Sequence, residues 1–289
     1  MKICIAGADG QVGRALMQLA PVHVEALPAN RSVLDVGERD AVLAFVDLHR
    51  PQIIINVAAY TAVDRAESEP LQAARTNVEG VRNLALAADR VDARLIHVST
   101  NYVFDGEQST PYLPSSPPRP INVYGRTKYQ GEQAALAVAD KRTVIVRTAW
   151  VYAAAGNNFV KSMLRLMTER DALDVVADEL GTPTSAAALA QVLWQISARA
   201  ELRGIYHWTD GGSASRYEYA VAIQEEAIVR RLLTHRIPIR AVRSRDFAAP
   251  ALRPRNGVLD LAASIDALGD TPLHWRENLG RVLDGLAAA

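Results

Sequence analysis

The stretch Lys2-Ile3-Cys4-Ile5-Ala6-Gly7-Ala8-Asp9-Gly10-Gln11-Val12-Gly13-Arg14-Ala15-Leu16 decides the fold. Its apolar run stops at Gly7, and Val12, Ala15, Leu16 and Leu19 return at helical spacing, so it reads as buried strand, glycine turn and helix. Each glycine has a use if the turn holds a dinucleotide. Gly7 permits the tight turn, Gly10 lets backbone N–H groups approach a pyrophosphate, and Gly13 allows close helix-on-strand packing. The spacing is G-x-x-G-x-x-G, one residue longer in the turn than the familiar G-x-G-x-x-G. Turn and packing glycines alone would give the same letters; the place after an N-terminal strand and before an amphipathic helix is what favours a cofactor.

Working outward, Val22 to Leu27 predicts a second strand, Asp40 to Leu48 a helix and Ile53 to Val57 a buried strand. A helix near Pro70 to Ala88, a strand Arg94 to Ser99, a helix Asn122 to Ala139 and a strand Thr143 to Arg147 follow. Apolar strands alternating with helices predict a parallel sheet covered on both faces, an α/β doubly wound (Rossmann) fold. Residues 1–150 are the dinucleotide-binding domain on this reading. After Trp150 the alternation decays, so 151–289 is expected to be a smaller C-terminal substrate-binding domain, with a segment near 172–185 free to return to the sheet. Asp105 to Pro120 holds five prolines and reads either as a stiff surface spacer or as a flap ahead of the helix carrying Tyr124.

The 289 residues are 49% hydrophobic and 22% charged, an ordinary globular composition. Thirty-two basic residues balance 32 acidic ones, so no global field recruits nucleic acid or an anionic membrane, and neither partner is expected. No apolar run approaches the roughly 20 residues that span a bilayer. The first apolar run breaks too early for a signal peptide, and a cytoplasmic protein is expected. The single cysteine, Cys4, lies in the first strand and is expected to be buried. No His, Cys or carboxylate pair has metal-ligand spacing, and no metal is expected. His97 and His207 read as packing residues, and Glu67 and Glu69 as a solvated helix face.

Cofactor preference is read at the end of the second strand, where a carboxylate would hold a ribose 2′-hydroxyl and a basic residue would accept a 2′-phosphate. The stretch after Glu25 is Ala26-Leu27-Pro28-Ala29-Asn30-Arg31, without an acid, so Arg31 favours NADPH and leaves NADH open. Asp35 and Val36 are candidates for the adenine edge. Ala58, Ala59, Tyr60 and Thr61 follow a strand at the carboxyl edge where such ligands sit.

Tyr124 and Lys128 stand at i and i+4, on one face of a helix. An ammonium beside a phenol favours the phenolate and is expected to bring Tyr124 down from its ordinary value near 10, making it a proton donor and acceptor for carbonyl reduction. A Y-x-x-x-K string alone carries little, and its bland meaning is a solvated helix face. Thr100 changes that: it ends the strand Arg94 to Ser99 at the edge of the glycine loop, where its hydroxyl can donate to the same substrate oxygen.

At these residues the chain resembles the dTDP-4-dehydrorhamnose reductases, extended short-chain dehydrogenases that reduce the C4 ketone of a nucleotide-linked sugar. The matching strings are Gly7-Ala8-Asp9-Gly10-Gln11-Val12-Gly13, Ala58-Ala59-Tyr60-Thr61-Ala62-Val63-Asp64, Ser99-Thr100-Asn101-Tyr102-Val103-Phe104-Asp105-Gly106 and Tyr124-Gly125-Arg126-Thr127-Lys128. Further matches include Arg147-Thr148-Ala149-Trp150, Gly181-Thr182-Pro183-Thr184 and Arg253-Pro254. The resemblance implies that Thr100, Tyr124 and Lys128 are catalytic and that Gly10, Gln11, Val12, Asp35, Val36, Ala59, Tyr60 and Thr61 line the cofactor. It also implies that Asn101 and Trp150 meet the sugar nucleotide. The Trp150 indole offers a flat face to a deoxysugar or packs at a domain seam, and Arg253 pairs with a diphosphate or caps a loop.

Two departures matter. The family usually has aspartate where Asn101 stands, so only amide hydrogen bonding remains beside Thr100. Some members dimerise through magnesium held in part by an acid just after the third glycine. Here that helix reads Arg14-Ala15-Leu16, so a monomer without bridging magnesium is expected. Two other functions share the fold. A nucleotide-sugar epimerase or dehydratase returns the hydride to the same molecule, but the dehydratases place an Asp-Glu pair where this chain has Asn101-Tyr102. A cofactor-binding regulatory subunit, like that of methionine adenosyltransferase, would need no turnover.

Overall fold

The structure is a computed structural model and describes residues 1–288. Five strands, β1 (Lys2–Ala6), β2 (Glu25–Ala29), β3 (Ile53–Asn56), β4 (Arg94–Thr100) and β5 (Thr143–Thr148), pair in parallel with a sixth, Gly204–His207. Their order across the sheet is β2, β1, β3, β4, β5, then Gly204–His207. The chain steps outward from β1 to β2 and then crosses back to β3, so the carboxyl ends of β1 and β3 diverge into the crevice where doubly wound sheets bind ligands. The Rossmann reading is correct.

The helices cover both faces. α1 (Gln11–Gln18) and the helix Ala186–Ser197 lie on one, burying Leu16, Leu189 and Leu193 against Ile3, Ile5, Ile53 and Ile55. α2 (Arg39–His49) packs on the other face, burying Val42 and Val46. Next come α3 (Val63–Ser68), α4 (Pro70–Ala74), a π-turn Arg75–Glu79 and α5 (Gly80–Arg90). α6 (Val123–Ala139) completes that face. Each fully buried isoleucine or leucine contributes about 1.5–3 kcal/mol, which outweighs local misfits such as Pro28 within β2. That proline is tolerated because β2 is an edge strand, paired only with β1.

Three differences from the sequence reading have physical causes. β2 starts at Glu25 rather than Val22, because pairing with β1 sets its register and Val22 lies fully exposed in the preceding turn. The single helix expected over Pro70 to Ala88 contains a π-turn, which brings Asn77 inward. Leu173–Val176 pairs with Ile239–Val242 in a separate two-stranded sheet, and Gly204–His207 takes the place beside β5. A third core, containing Tyr152, Tyr219, Trp275 and Leu279, lies among the elements after Trp150. The proline-rich stretch, expected as a stiff surface spacer or a flap, is anchored at Tyr112, which stacks on Phe104 at 4.2 Å and whose backbone pairs with that of Val258 and Asp260. Among the described residues no helix is long and apolar enough to cross a membrane.

Candidate active site

α6 starts where Asn122 accepts the Gly125 N–H at 2.7 Å and Glu67 accepts that of Val123 at 2.8 Å. Glu67, read as merely solvated, is therefore part of the helix start. Gly125 explains how the helix reaches the sheet edge, since a Cβ there would collide with the Tyr102 carbonyl oxygen. The close approach brings Tyr124 edge-on to Tyr102, with ring centroids 5.5 Å apart, and its phenol beside Thr100. From Tyr124 the inner stripe of α6 continues through Lys128 and Glu132, both buried. Glu132 accepts hydrogen bonds from Arg147 of β5, at 3.0, 3.3 and 2.7 Å, and another from Ser99 of β4. The Lys128 Nζ donates to Val98 O at 2.7 Å and lies 3.4 Å from His97 Nε2.

The electrostatics differ from the expectation. Burial pushes the Tyr124 phenol up to about 12, with the Thr100 hydrogen bond opposing, so the net shift is upward and the phenol stays protonated at neutral pH. Burial also brings Lys128 down to about 8, with Glu132 opposing. In this arrangement Lys128 is drawn toward the strand, so it does not give Tyr124 the lowered value that helical spacing alone suggests.

The crevice between β1 and β3 fits a dinucleotide. Gly7 has φ +87°, and a Cβ there would come within 2.6 Å of Ala58 N, so only glycine closes this turn. Behind it α1 begins at Gly10 with no side-chain cap and no acid in its first turn, which leaves its N–H groups and positive dipole end for an anion. Gln11 accepts a hydrogen bond from Asn158 at 2.8 Å, while Val12 packs on the core beneath. Arg31 is largely exposed, with a loose 3.8 Å contact to Asp35. Asp35 is more occupied. Burial would raise its carboxyl, but hydrogen bonds from Arg75 and the Gly37 N–H hold it below its ordinary value. Val36 is buried. Ala58 and Ala59 abut the turn's exit, and the Tyr60 backbone is clasped by the Asn77 side chain, which also donates to Thr127 of α6. Asn77 thus ties the Tyr60 loop to α6; its one sequence signal was an amide on an otherwise apolar helix face.

Beside this edge lies a cleft of about 1910 Å³, walled by residues including Thr61, Trp150, Glu179, Arg216 and Arg253. Trp150 holds a left-handed backbone, φ 43°, unusual for a bulky residue. The Arg216 guanidinium lies 3.5 Å from its ring centroid, and the indole also packs against Gly181. The indole therefore seats a cation rather than presenting a bare face. Arg253 is committed to Asp64 at 2.7 Å. Arg216 has no carboxylate within salt-bridge distance among the described residues, with Tyr102 and Glu179 its electrostatic neighbours. Sequence reasoning missed it, because only tertiary packing puts it over Trp150. Asn101 donates to Gly257 O at 3.0 Å and accepts from Thr100 at 3.4 Å, a bridge that an ionised aspartate could not make.

Comparison with known proteins fits this geometry. A family model described as the RmlD substrate binding domain matches residues 1–288. The chain belongs to this family. A dTDP-4-dehydrorhamnose reductase of Aggregatibacter actinomycetemcomitans is 40% identical over 97% of this chain and 98% of its own length. One of Mycolicibacterium smegmatis is 43% identical over 96% and 84%. The crystal structure of a Bacillus anthracis dTDP-4-dehydrorhamnose reductase in complex with NADP matches this RmlD-family chain with TM-score 0.92 and 36% identity, over 98% of this chain and 99% of that one. A Thermus thermophilus UDP-glucose 4-epimerase, 18% identical with TM-score 0.84, shares the fold.

Proposed function

We propose that the chain reduces the C4 ketone of dTDP-4-dehydro-L-rhamnose to dTDP-L-rhamnose with NADPH. The observation that carries this reading is the convergence of Thr100, Tyr124 and Lys128 where the sheet edge meets a cleft holding an unpaired guanidinium. The family relatives, over nearly their whole length, bear the name of that activity. When bound, NADPH supplies the hydride; Gly7, Gly10, Gln11, Val12, Gly13 and Arg31 would hold its phosphates, with Ala58 to Thr61 along its flank. Thr100 turns its hydroxyl proton from Asn101 to the ketone oxygen, and Tyr124, kept protonated by burial, gives its proton to the alkoxide that forms there. Lys128 holds the nicotinamide ribose. Arg216, rather than the already paired Arg253, faces the diphosphate, and Asn101, anchored on Gly257 O, meets the sugar beside Thr100.

A dehydratase needs acids next to the threonine, and Asn101-Tyr102 offers none. A regulatory subunit needs no unpaired cation in a substrate cleft. Absorbance at 340 nm with purified protein, NADPH and dTDP-4-dehydrorhamnose tests the proposal. One NADPH consumed per sugar nucleotide supports it, and no consumption with intact NADPH binding sinks it. The chain acts as a cytoplasmic monomer without bridging magnesium, on small molecules rather than nucleic acid: its first helix carries no acid at Arg14, Ala15 or Leu16. Light scattering should give the monomer mass with and without magnesium.

A further inference from the structure

Beneath the catalytic stripe of α6, a buried polar chain runs across the sheet. Asn56 on β3 and His97 on β4 are direct neighbours, and both are buried. Asn56 Oδ1 accepts the Ala58 N–H at 3.0 Å, which leaves Nδ2 as the atom 3.1 Å from His97 Nδ1. An amide nitrogen only donates, so Nδ1 accepts, and the proton of the neutral imidazole sits on Nε2. Nε2 lies 3.4 Å from the Lys128 amine, which also donates to Val98 O.

We propose that His97, fixed in this tautomer by Asn56, is a positioning residue for Lys128: its Nε2–H faces the amine, disfavours the ammonium and holds the neutral form against β4. The proposal rests on the reading of Lys128 as part of the reductase site. The reasoning is one of donors and acceptors. An ammonium has three donors and no acceptor, so it cannot bond to Nε2–H, whereas a neutral amine accepts that hydrogen while still donating to Val98 O. Burial and the adjacent Lys128 keep His97 itself far below its ordinary value, so the ring stays neutral.

The remaining groups around Lys128 leave this effect visible. On α6, Glu132 favours the ammonium, but its carboxylate is shared with Arg147 of β5 and Ser99 of β4. Tyr124, one turn earlier, is a neutral phenol. From the π-turn, Asn77 bonds to Thr127 and carries no charge. An amine poised near neutral pH exchanges a proton with a hydroxyl placed against it, which an ordinary lysine near 10.4 does poorly.

The test reads the free protein and needs no turnover. The chain has four lysines, Lys2, Lys128, Lys141 and Lys161, so Cε-labelled lysine NMR resolves them, with Lys128→Arg giving the assignment. Lys128 is expected to titrate near pH 8 in the wild type, where burial already lowers it, and measurably higher in His97→Phe, which keeps the burial and removes the Nε2–H. Imidazole nitrogen spectra of the wild type should show His97 with its proton on Nε2. A Lys128 midpoint near 10 in the wild type, a proton on Nδ1, or a midpoint unmoved in folded His97→Phe overturns the proposal. If His97→Phe does not fold, His97→Asn, which keeps a group for Asn56 but lacks the Nε2–H, replaces it with the same two outcomes. Loss of NADPH oxidation with these titrations intact would count against the reductase reading alone.

Discussion

Tyr124 and Lys128 share a helix face, yet they meet different surroundings: the Tyr102 ring beside Thr100 for the phenol, a carbonyl and an imidazole for the amine. The phenol's raised value makes it a proton donor across the physiological range. Tyr124→Phe should therefore lower kcat by about 10²–10⁴-fold, the usual contribution of general acid catalysis, with NADPH affinity near wild type; steady-state rates and NADPH fluorescence titration check both. Arg216→Ala should weaken dTDP binding by about tenfold or more, since hydrogen bonds to charged groups contribute roughly 1.5–3 kcal/mol, and calorimetry should find NADPH binding unchanged. Equal loss of both ligands would place Arg216 in general structure instead. The shared helix face of Tyr124 and Lys128 was legible because their spacing is local. The pairing of Arg253 with Asp64, 189 positions apart, was not, and it reverses which arginine is free for an anion.

At the scale of elements, the start of α6 decides whether Tyr124 reaches Thr100. Helix propensity predicts that Gly125→Ala stabilises by roughly 1 kcal/mol, whereas the collision of its Cβ with the Tyr102 carbonyl predicts a cost of about 1–3 kcal/mol. The collision wins, because the carbonyl is backbone in a buried turn and cannot swing aside. Urea unfolding should show the loss, and kcat should fall at least tenfold in protein that keeps its circular dichroism. Element order was legible through Thr148 because helix and strand periods are written in neighbouring residues. The edge strand Gly204–His207 was not. Four residues show no distinctive period, and their place is set by pairing with β5, some 60 residues earlier in the chain.

Across the whole molecule, Asp210 joins the last sheet strand to the helix that follows Ser185. It accepts the Ser185 N–H at 3.0 Å, and burial raises its carboxyl to about 7. Between about pH 4 and 7 the folded protein retains a proton that the unfolded chain releases, so this group makes stability fall as pH rises through that window and level off above it. The effect is at most about 4 kcal/mol, from roughly three pKa units at 1.36 kcal/mol each. Asp210→Asn stays neutral, so its urea midpoint should fall less than wild type between pH 4.5 and 7.5; parallel curves would contradict the assignment. The sequence by itself determined the strand, glycine turn and helix at the N-terminus, the parallel alternation and the Tyr124–Lys128 face, because each depends on residues within a few positions of one another. Only the tertiary structure decided that Asn56 and His97 bear on Lys128, that Asn77 ties the Tyr60 loop to α6 and that Arg216 covers Trp150. Those contacts join residues from 17 to 66 positions apart, and no local period or propensity encodes which distant side chains the folded core presses together.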